Sequence, residues 1–565
     1  MKLRNAHYCI FINPNSLIMK RVLVLLILTL MLSCEEKTAP LKSSNFQTFV
    51  ENFKVSDTDA GIPNLSVAYY ASELERIRKQ LEALNGIDTT QLSFEDSIDW
   101  RFAQSILKGK EIRQSEHQTW KMDPRNYMSF RALGSIIEKP GAVSYKVAQL
   151  EARLKVLPIQ LQNGQNQLAF YVPRFQELSL FMAENAASLF NKDLMEFAST
   201  SEGGDKLIPL ISKCQEALAN YTAFIANELP KKPQRDFAMG KATYNRMLEQ
   251  QFLLAYNDET LWEFGKVQFD QTISELEALA KEIDPNKTWQ ELATEIKNEY
   301  PEPHEMIAAH QLWVDSSKAH ILNNNLIPIP WKERVQVVPR AEYLRKTSYY
   351  GNFSRAQGKD KDSIFTAQWM INPFEDRWDD QTKQEYLVEH DWGVIIVTAP
   401  HESYAGHHVQ GLYQMHNPSK LRRENGLSMF SEGWGLYNEQ LMSETGFFPS
   451  KRIHLRQLQL RLWRNARVVY DVGMHTGKMT YDEAIQMMTD KVGFLRWAAQ
   501  LEVDSASERP GYFIGYFMGM SEILKMRELY KEKRGEDFTL SDFHEKLLKI
   551  GNMPPRLMEA SLFRN

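Results

Sequence analysis

The stretch His401-Glu402-Ser403-Tyr404-Ala405-Gly406-His407-His408 constrains the local backbone more than any other part of the chain. With Glu432, 25 residues after His407, it puts three imidazoles and two carboxylates into 32 residues. Zinc hydrolases of the HExxH type use that inventory. Two His and a Glu hold the ion, one position stays open for water, and the Glu after the first His acts as general base. In HExxH the two His stand at i and i+4 on one helical face. Here position i+4 is Ala405, and the next imidazoles come at i+6 and i+7. An unbroken helix would turn His407 about 240° away from His401 and carry His408 about 10.5 Å along the axis. Gly406 offers a way out, because glycine tolerates a bulge or kink. The expectation is a helix that begins near Trp392 or Val394, breaks at Ala405-Gly406, and returns His407 to the metal. His408 is the reserve ligand, and Glu402 is the expected general base.

A plainer reading exists, since adjacent His on a helix are often a surface feature and His-Glu pairs occur by chance. Glu432 weighs against it. It sits in the apolar run 429–437, where an unpaired carboxylate is costly to bury and a metal partner removes the cost. Glu439, seven residues on, lies two turns along the same face. It reads equally as a support for a ligand His or as a structural carboxylate.

Four blocks extend this pattern. They are residues 401–410, residues 432–439, residues 462–475 and residues 510–519. In that order they resemble the motifs H-E-x-x-P-G-H-H-L-Q, E-G-W-A-L-Y-x-E, L-W-R-x-A-R-L-V-x-D-x-G-L-H and P-G-Q-A-x-x-Y-x-x-G of the bacterial DUF885 family, many of whose members are lipoproteins. The resemblance runs through nearly the whole mature chain and is strongest from about residue 330 to the end. It implies a large, mainly α, metallopeptidase-like fold related to the neurolysin and thimet type. It also implies one Zn²⁺ ion held by His401, His407 and Glu432, the Glu-Gly-Trp block matching the block that supplies the third ligand in HExxH aminopeptidases. Three departures stand out: Ala405 replaces the family Pro, Tyr512 the family Gln, and Ser505-Ala506 an Arg-Tyr pair. They leave the metal residues intact and bear on substrate preference.

The remaining chain frames this block. A chain of 565 residues, 43% hydrophobic and 25% charged, can bury a large core and divide into subdomains. Its net charge of −5 argues against nucleic acid as a partner. Met19-Lys20-Arg21 followed by the apolar run 22–32 reads as a secretory signal, with Met19 as the true start. Leu32-Ser33-Cys34 resembles a lipobox, which makes Cys34 the lipidated residue and the membrane a partner through that lipid; an uncleaved anchor is the other reading. Residues 1–33 are thus the signal, 34–50 a lipidated tether, 51–330 a helical subdomain and 331–565 the catalytic subdomain. Cys214 is the one thiol left in the body and is expected as a small buried hydrophobe. Between 331 and 390, two β-branched and aromatic runs, 335–339 and 363–371, predict a small antiparallel sheet beside the zinc helix.

Residues 455–530 form the expected opposite wall. Arg467 and Tyr512 are candidate substrate contacts, although Arg467 also reads as an i, i+4 partner of Asp471. Tyr516 and His475 are candidate donors to the oxyanion formed when water adds to a peptide carbonyl; an ordinary core tyrosine is the other reading of Tyr516. Together these readings point to a zinc-dependent metallohydrolase, a peptidase acting on peptides at the cell envelope. The alternatives are a non-catalytic envelope lipoprotein with a structural metal site, and a zinc amidase on non-peptide substrates.

Overall fold

A computed structural model describes residues 44–55, 61–138, 141–340, 351–356, 358–359 and 362–564. The signal, the start at Met19 and the lipidation site Cys34 lie outside those residues. Where periodicity predicts helices, helices form. Val67–Asn85 is capped by the Ser66 hydroxyl, which accepts from the Tyr69 amide at 3.1 Å, and it buries Ile77, Leu81 and Leu84. Asp258–Ile283 opens with a capping box between Asn257 and Thr260 and stops before Pro285. Cys214 is fully buried, as its sequence context suggests, and its thiol donates to the Leu154 carbonyl at 3.2 Å.

The fold is organised around Lys451–Thr476, a helix whose residues from Leu455 to His475 are all buried. On a helix covered on every side, a polar group left without a partner is costly to bury. Arg456 pairs with Asp391 at 2.8 Å, Asn465 donates to the Thr272 hydroxyl at 2.7 Å, and Asp471 accepts from the Tyr244 hydroxyl at 2.7 Å. Removing one partner of a buried pair such as Arg456–Asp391 costs about 3–5 kcal/mol. Around this central helix pack Asp258–Ile283, the first histidine helix Trp392–Glu402, and the tyrosine helix Ile514–Arg534.

Strands β1 (Glu333–Pro339), β2 (Asn352–Ser354) and β3 (Phe365–Ile371) form one sheet in the order β1-β3-β2. Both long strands fall on the runs picked out from sequence, but the sheet is mixed and not antiparallel. β1 runs parallel to β3, from Glu333 opposite Phe365 to Pro339 opposite Ile371, whereas β2 is antiparallel to β3 with Phe353 opposite Trp369. The 25 residues 340–364 give the chain room for the crossover that a parallel pair needs. The outer edge of β1 is covered by the helix Met306–Asn323. Its Gln311 accepts from the Val337 amide at 2.8 Å and donates to the Val335 carbonyl at 3.2 Å.

Two expected boundaries move. The tether does not extend to residue 50, because Ser44–Asn52 is helical and buries Phe46 and Val50. The largest hydrophobic cluster joins Phe46, Leu107 and Leu261 to Trp369, Trp434 and Leu562, so the core crosses the expected division at 330/331. A smaller cluster, from Tyr70 to Leu229, belongs to the N-terminal helices alone. Among the described residues, no helix is long and apolar enough to cross a membrane.

Candidate metal centre

The first histidine helix starts where Asp391 accepts from the Val394 amide at 3.0 Å, and it ends at Glu402. Residues 403–406 form a turn, and a second histidine helix, His407–Met415, begins directly after Gly406. Two contacts hold the turn. The Gly406 amide donates to the Pro400 carbonyl at 2.9 Å, and the Trp434 indole donates to the Ala405 carbonyl at 2.8 Å. Gly406 is required by space: a Cβ there would lie 1.7 Å from the His401 carbonyl oxygen. The break expected at Ala405-Gly406 is therefore present without the proline that the family carries at 405.

The break brings the two imidazoles together, with ring centroids 4.9 Å apart and planes at 90°. His401 Nε2 lies 3.9 Å, and His407 Nε2 3.5 Å, from Glu432 Oε2. Glu432 comes from the glutamate helix Ser428–Glu444. Atoms bound to a tetrahedral zinc at about 2.1 Å stand about 3.4 Å from one another, so this trio fits one small cation. Ligand atoms of His401, Glu402 and His407 also lie within 4.8 Å of one another, which places the half-buried Glu402 carboxylate at the same centre. Of the two carboxylates, Glu432 is the one with a single oxygen facing both Nε2 atoms. Burial alone would raise the Glu432 carboxyl, but the two imidazoles outweigh it and hold the group well below the usual range. Burial likewise pushes the His401 imidazole down, and Glu432 and Glu439 bring it up to about 9.

Behind the ligands, His401 Nδ1 donates to Glu439 Oε1 at 2.8 Å, and Arg464 Nη2 lies 3.6 Å from the same oxygen. A carboxylate in that place fixes the ring and its tautomer, leaving Nε2 free to ligate. Glu439→Gln is expected to weaken metal binding about 10- to 100-fold, read by competition with a chromophoric chelator. The glutamate helix approaches closely at Gly435, where a Cβ would lie 2.6 Å from the His401 ring. Gly435→Ala should displace that imidazole, and metal analysis of the purified variant should find the ion lost while the helical circular dichroism persists.

On the other side, the Tyr512 hydroxyl donates to Glu432 Oε1 at 3.0 Å and lies 3.5 Å from the Tyr516 hydroxyl. Burial, reinforced by Glu432, pushes the Tyr512 phenol up to about 12 and the Tyr516 phenol well above its usual value. Both remain O–H donors at neutral pH.

Three sequence expectations are corrected. His408, the reserve ligand, turns away from the centre because each helical residue advances about 100°. It bonds to Glu333 at the start of β1, which also accepts from Tyr404 and pairs with Lys318, each at 2.6 Å. His475 is not at the site. Both ring nitrogens are engaged by backbone, the Ala506 carbonyl at 3.0 Å and the Met239 amide at 3.4 Å, so the ring has no donor for an oxyanion. Arg467 does not pair with Asp471. It bonds to Glu502 at 2.9 Å and lies between the rings of Trp463 and Tyr516, 4.2 Å from each centroid. Its guanidinium packs against the Tyr516 ring.

Sequence reasoning missed Arg355, just beyond β2. Its Nη1 donates to Gln414 at 3.0 Å and its Nη2 to Gln410 at 3.1 Å, both on the second histidine helix. Burial lowers this guanidinium from its usual value, an effect opposed by Glu432 and Glu402. No motif marks the residue, because it reaches the site through a strand pairing that only the folded chain reveals.

A profile of bacterial proteins of unknown function, DUF885, matches residues 48–562. The chain belongs to the DUF885 family. No curated protein matches it. Two solved structures share the fold of this DUF885 protein. One, described as a lipoprotein of unknown function from Shewanella oneidensis, is 19% identical with a TM-score of 0.77 and covers 92% of this chain and 99% of its own. The other, described as a lipoprotein from Colwellia psychrerythraea, is 16% identical with a TM-score of 0.73 and covers 92% and 95%. A carboxypeptidase from Pyrococcus furiosus aligns over 93% of this chain and 96% of its own at 11% identity, with a TM-score of 0.35. In this DUF885 protein the first, second and fourth sequence blocks meet at the centre through His401, His407, Glu432, Tyr512 and Tyr516, and the third reaches it through Arg464.

Proposed function

We propose that this DUF885 protein is a metal-dependent hydrolase, and specifically a zinc peptidase held at the bacterial envelope by a lipid on Cys34. The observation that carries the reading is the convergence of His401 Nε2 and His407 Nε2 on one oxygen of Glu432, at 3.9 and 3.5 Å, with a second carboxylate beside them. Two imidazoles and one carboxylate suit zinc better than magnesium or calcium, which favour all-oxygen shells. The likeness to two proteins described as lipoproteins supports the envelope location.

His401, His407 and Glu432 would hold the ion, which when bound supplies Lewis acidity and lowers the pKa of water. Glu402 takes the proton from the water that attacks the scissile carbonyl and passes it to the leaving amine as the C–N bond breaks. Tyr516, its ring packed against Arg467, donates its O–H toward the oxyanion, and Tyr512 holds Glu432 in place. Glu439 and Arg464 keep the His401 ring in register. A purely structural site has no use for an unligated carboxylate such as Glu402, and this favours an enzyme over a binding lipoprotein.

The test is hydrolysis of a mixed peptide library by purified protein before and after chelation. Cleavage that disappears with chelator and returns with zinc is the expected result. Cleavage indifferent to chelator, or protein that binds no metal by anomalous scattering, overturns the proposal.

A further inference from the structure

The Tyr512 hydroxyl meets Glu432 at 3.0 Å, yet Tyr512 lies on the turn 509–513, outside any helix or strand. One peptide group in that turn, Pro510–Gly511, is gripped at both ends. Its carbonyl accepts from Arg113 Nη2 at 3.3 Å, and its amide donates to Asp471 Oδ1 at 2.9 Å. The two grips come from opposite sides, because the C=O and N–H of a trans peptide point apart. Gly511 has φ +77°, a conformation that glycine adopts at little cost, and a Cβ there would lie 2.4 Å from Met247 Cε.

Neither grip is local. Asp471 belongs to the buried central helix and is itself fixed by the Tyr244 hydroxyl at 2.7 Å. Arg113 opens a single wide turn, closed by the Gln118 amide on the Arg113 carbonyl at 3.0 Å. Such turns shift side chains out of the α-helical register and recur at functional sites. Burial lowers the Arg113 guanidinium, and Asp471 opposes that effect. Other N-terminal cations hold the chain just upstream of the peptide. Arg174 grips both oxygens of Asp504 at 2.6 Å, and Arg125 pairs with Glu508.

We propose that Arg113 and Asp471 are positioning residues of the metal centre: by clamping the 510–511 peptide they set the Tyr512 hydroxyl on Glu432. The N-terminal helices thereby act on the site through the backbone of another segment. This role rests on the reading of Glu432 as a metal ligand. The Tyr512 bond occupies Glu432 Oε1 and leaves Oε2 facing both imidazoles. Losing that bond frees the carboxylate to rotate, and binding an ion must then order it again.

Zinc affinity, measured by competition with a chromophoric chelator, separates positioning from bulk stability. Tyr512→Phe should weaken zinc about 10- to 100-fold. Arg113→Met and Asp471→Ala should each weaken it about 10-fold, and Asp471→Asn, which keeps an acceptor oxygen, should recover part of that loss. Combined with Tyr512→Phe, neither should weaken zinc further, because the hydroxyl they pose is gone. The fall in melting temperature that each causes should persist in the double variants, as a purely structural effect does. Arg113→Met carries the test should Asp471→Ala fail to fold. Affinity losses that add in the double variants, or zinc affinity unchanged in Arg113→Met, overturn the proposal. Wild-type protein that binds no zinc sinks the metal reading, and a crystal structure of metal-free Arg113→Met protein then decides the clamp. A Tyr512 hydroxyl displaced from Glu432 upholds it, and a bond intact at 3.0 Å overturns it.

Discussion

Glu402→Gln protein should retain its full complement of metal while its turnover falls about 10²- to 10⁴-fold, the range for loss of a positioned general base. Glu402 follows His401 at the end of the first histidine helix and borders the space defined by His401 and His407. It is half-buried, and its carboxylate is not the one on which both Nε2 atoms converge. The substitution keeps size and hydrogen-bonding reach and removes only basicity. Metal content by mass spectrometry and kcat on a single peptide substrate check the two halves of the expectation separately. Loss of metal would make Glu402 a ligand, and an unchanged kcat would remove it from the mechanism.

The pair His407→Ala and His408→Ala should divide cleanly. His407→Ala removes a donor that lies 3.5 Å from Glu432 and is expected to abolish tight zinc binding and activity together. His408→Ala should leave the ion bound. It removes instead one of three partners from the buried Glu333 carboxylate, with a stability loss of about 1–3 kcal/mol read as a lower melting temperature. The reverse pattern, with zinc lost only from His408→Ala, would mean that the turn at 403–406 takes another form in solution.

The break at Ala405-Gly406 and the approach of His401 to His407 were legible in the sequence because they rest on local rules. A glycine before the second His implies a break, and a break is the only way residues six apart can face one ion. Glu432 stood out because an apolar run rarely carries an unpaired carboxylate. What could not be read lies at long range. Whether β1 pairs parallel or antiparallel with β3 depends on the path of residues 340–364, on which alternation says nothing. His475 and Arg467 carry the right chemistry on the right helix, yet the helix is buried on every side, so their polar groups serve the packing of neighbours such as Ala506 and Glu502. Arg355, just beyond β2, and Glu333, on β1, reach the second histidine helix from 55 and 75 residues away in sequence.

Protein groups hold two of the three proposed ligands and the turn between the histidines: Glu439 on His401, Tyr512 on Glu432, and Trp434 on the Ala405 carbonyl. None of them waits for an ion. On the proposed reading, the site would be formed before any ion is bound and would take up its metal afterwards. Stripping the ion should leave the far-ultraviolet circular dichroism spectrum nearly unaltered, and loading should be fast, reversible and independent of refolding.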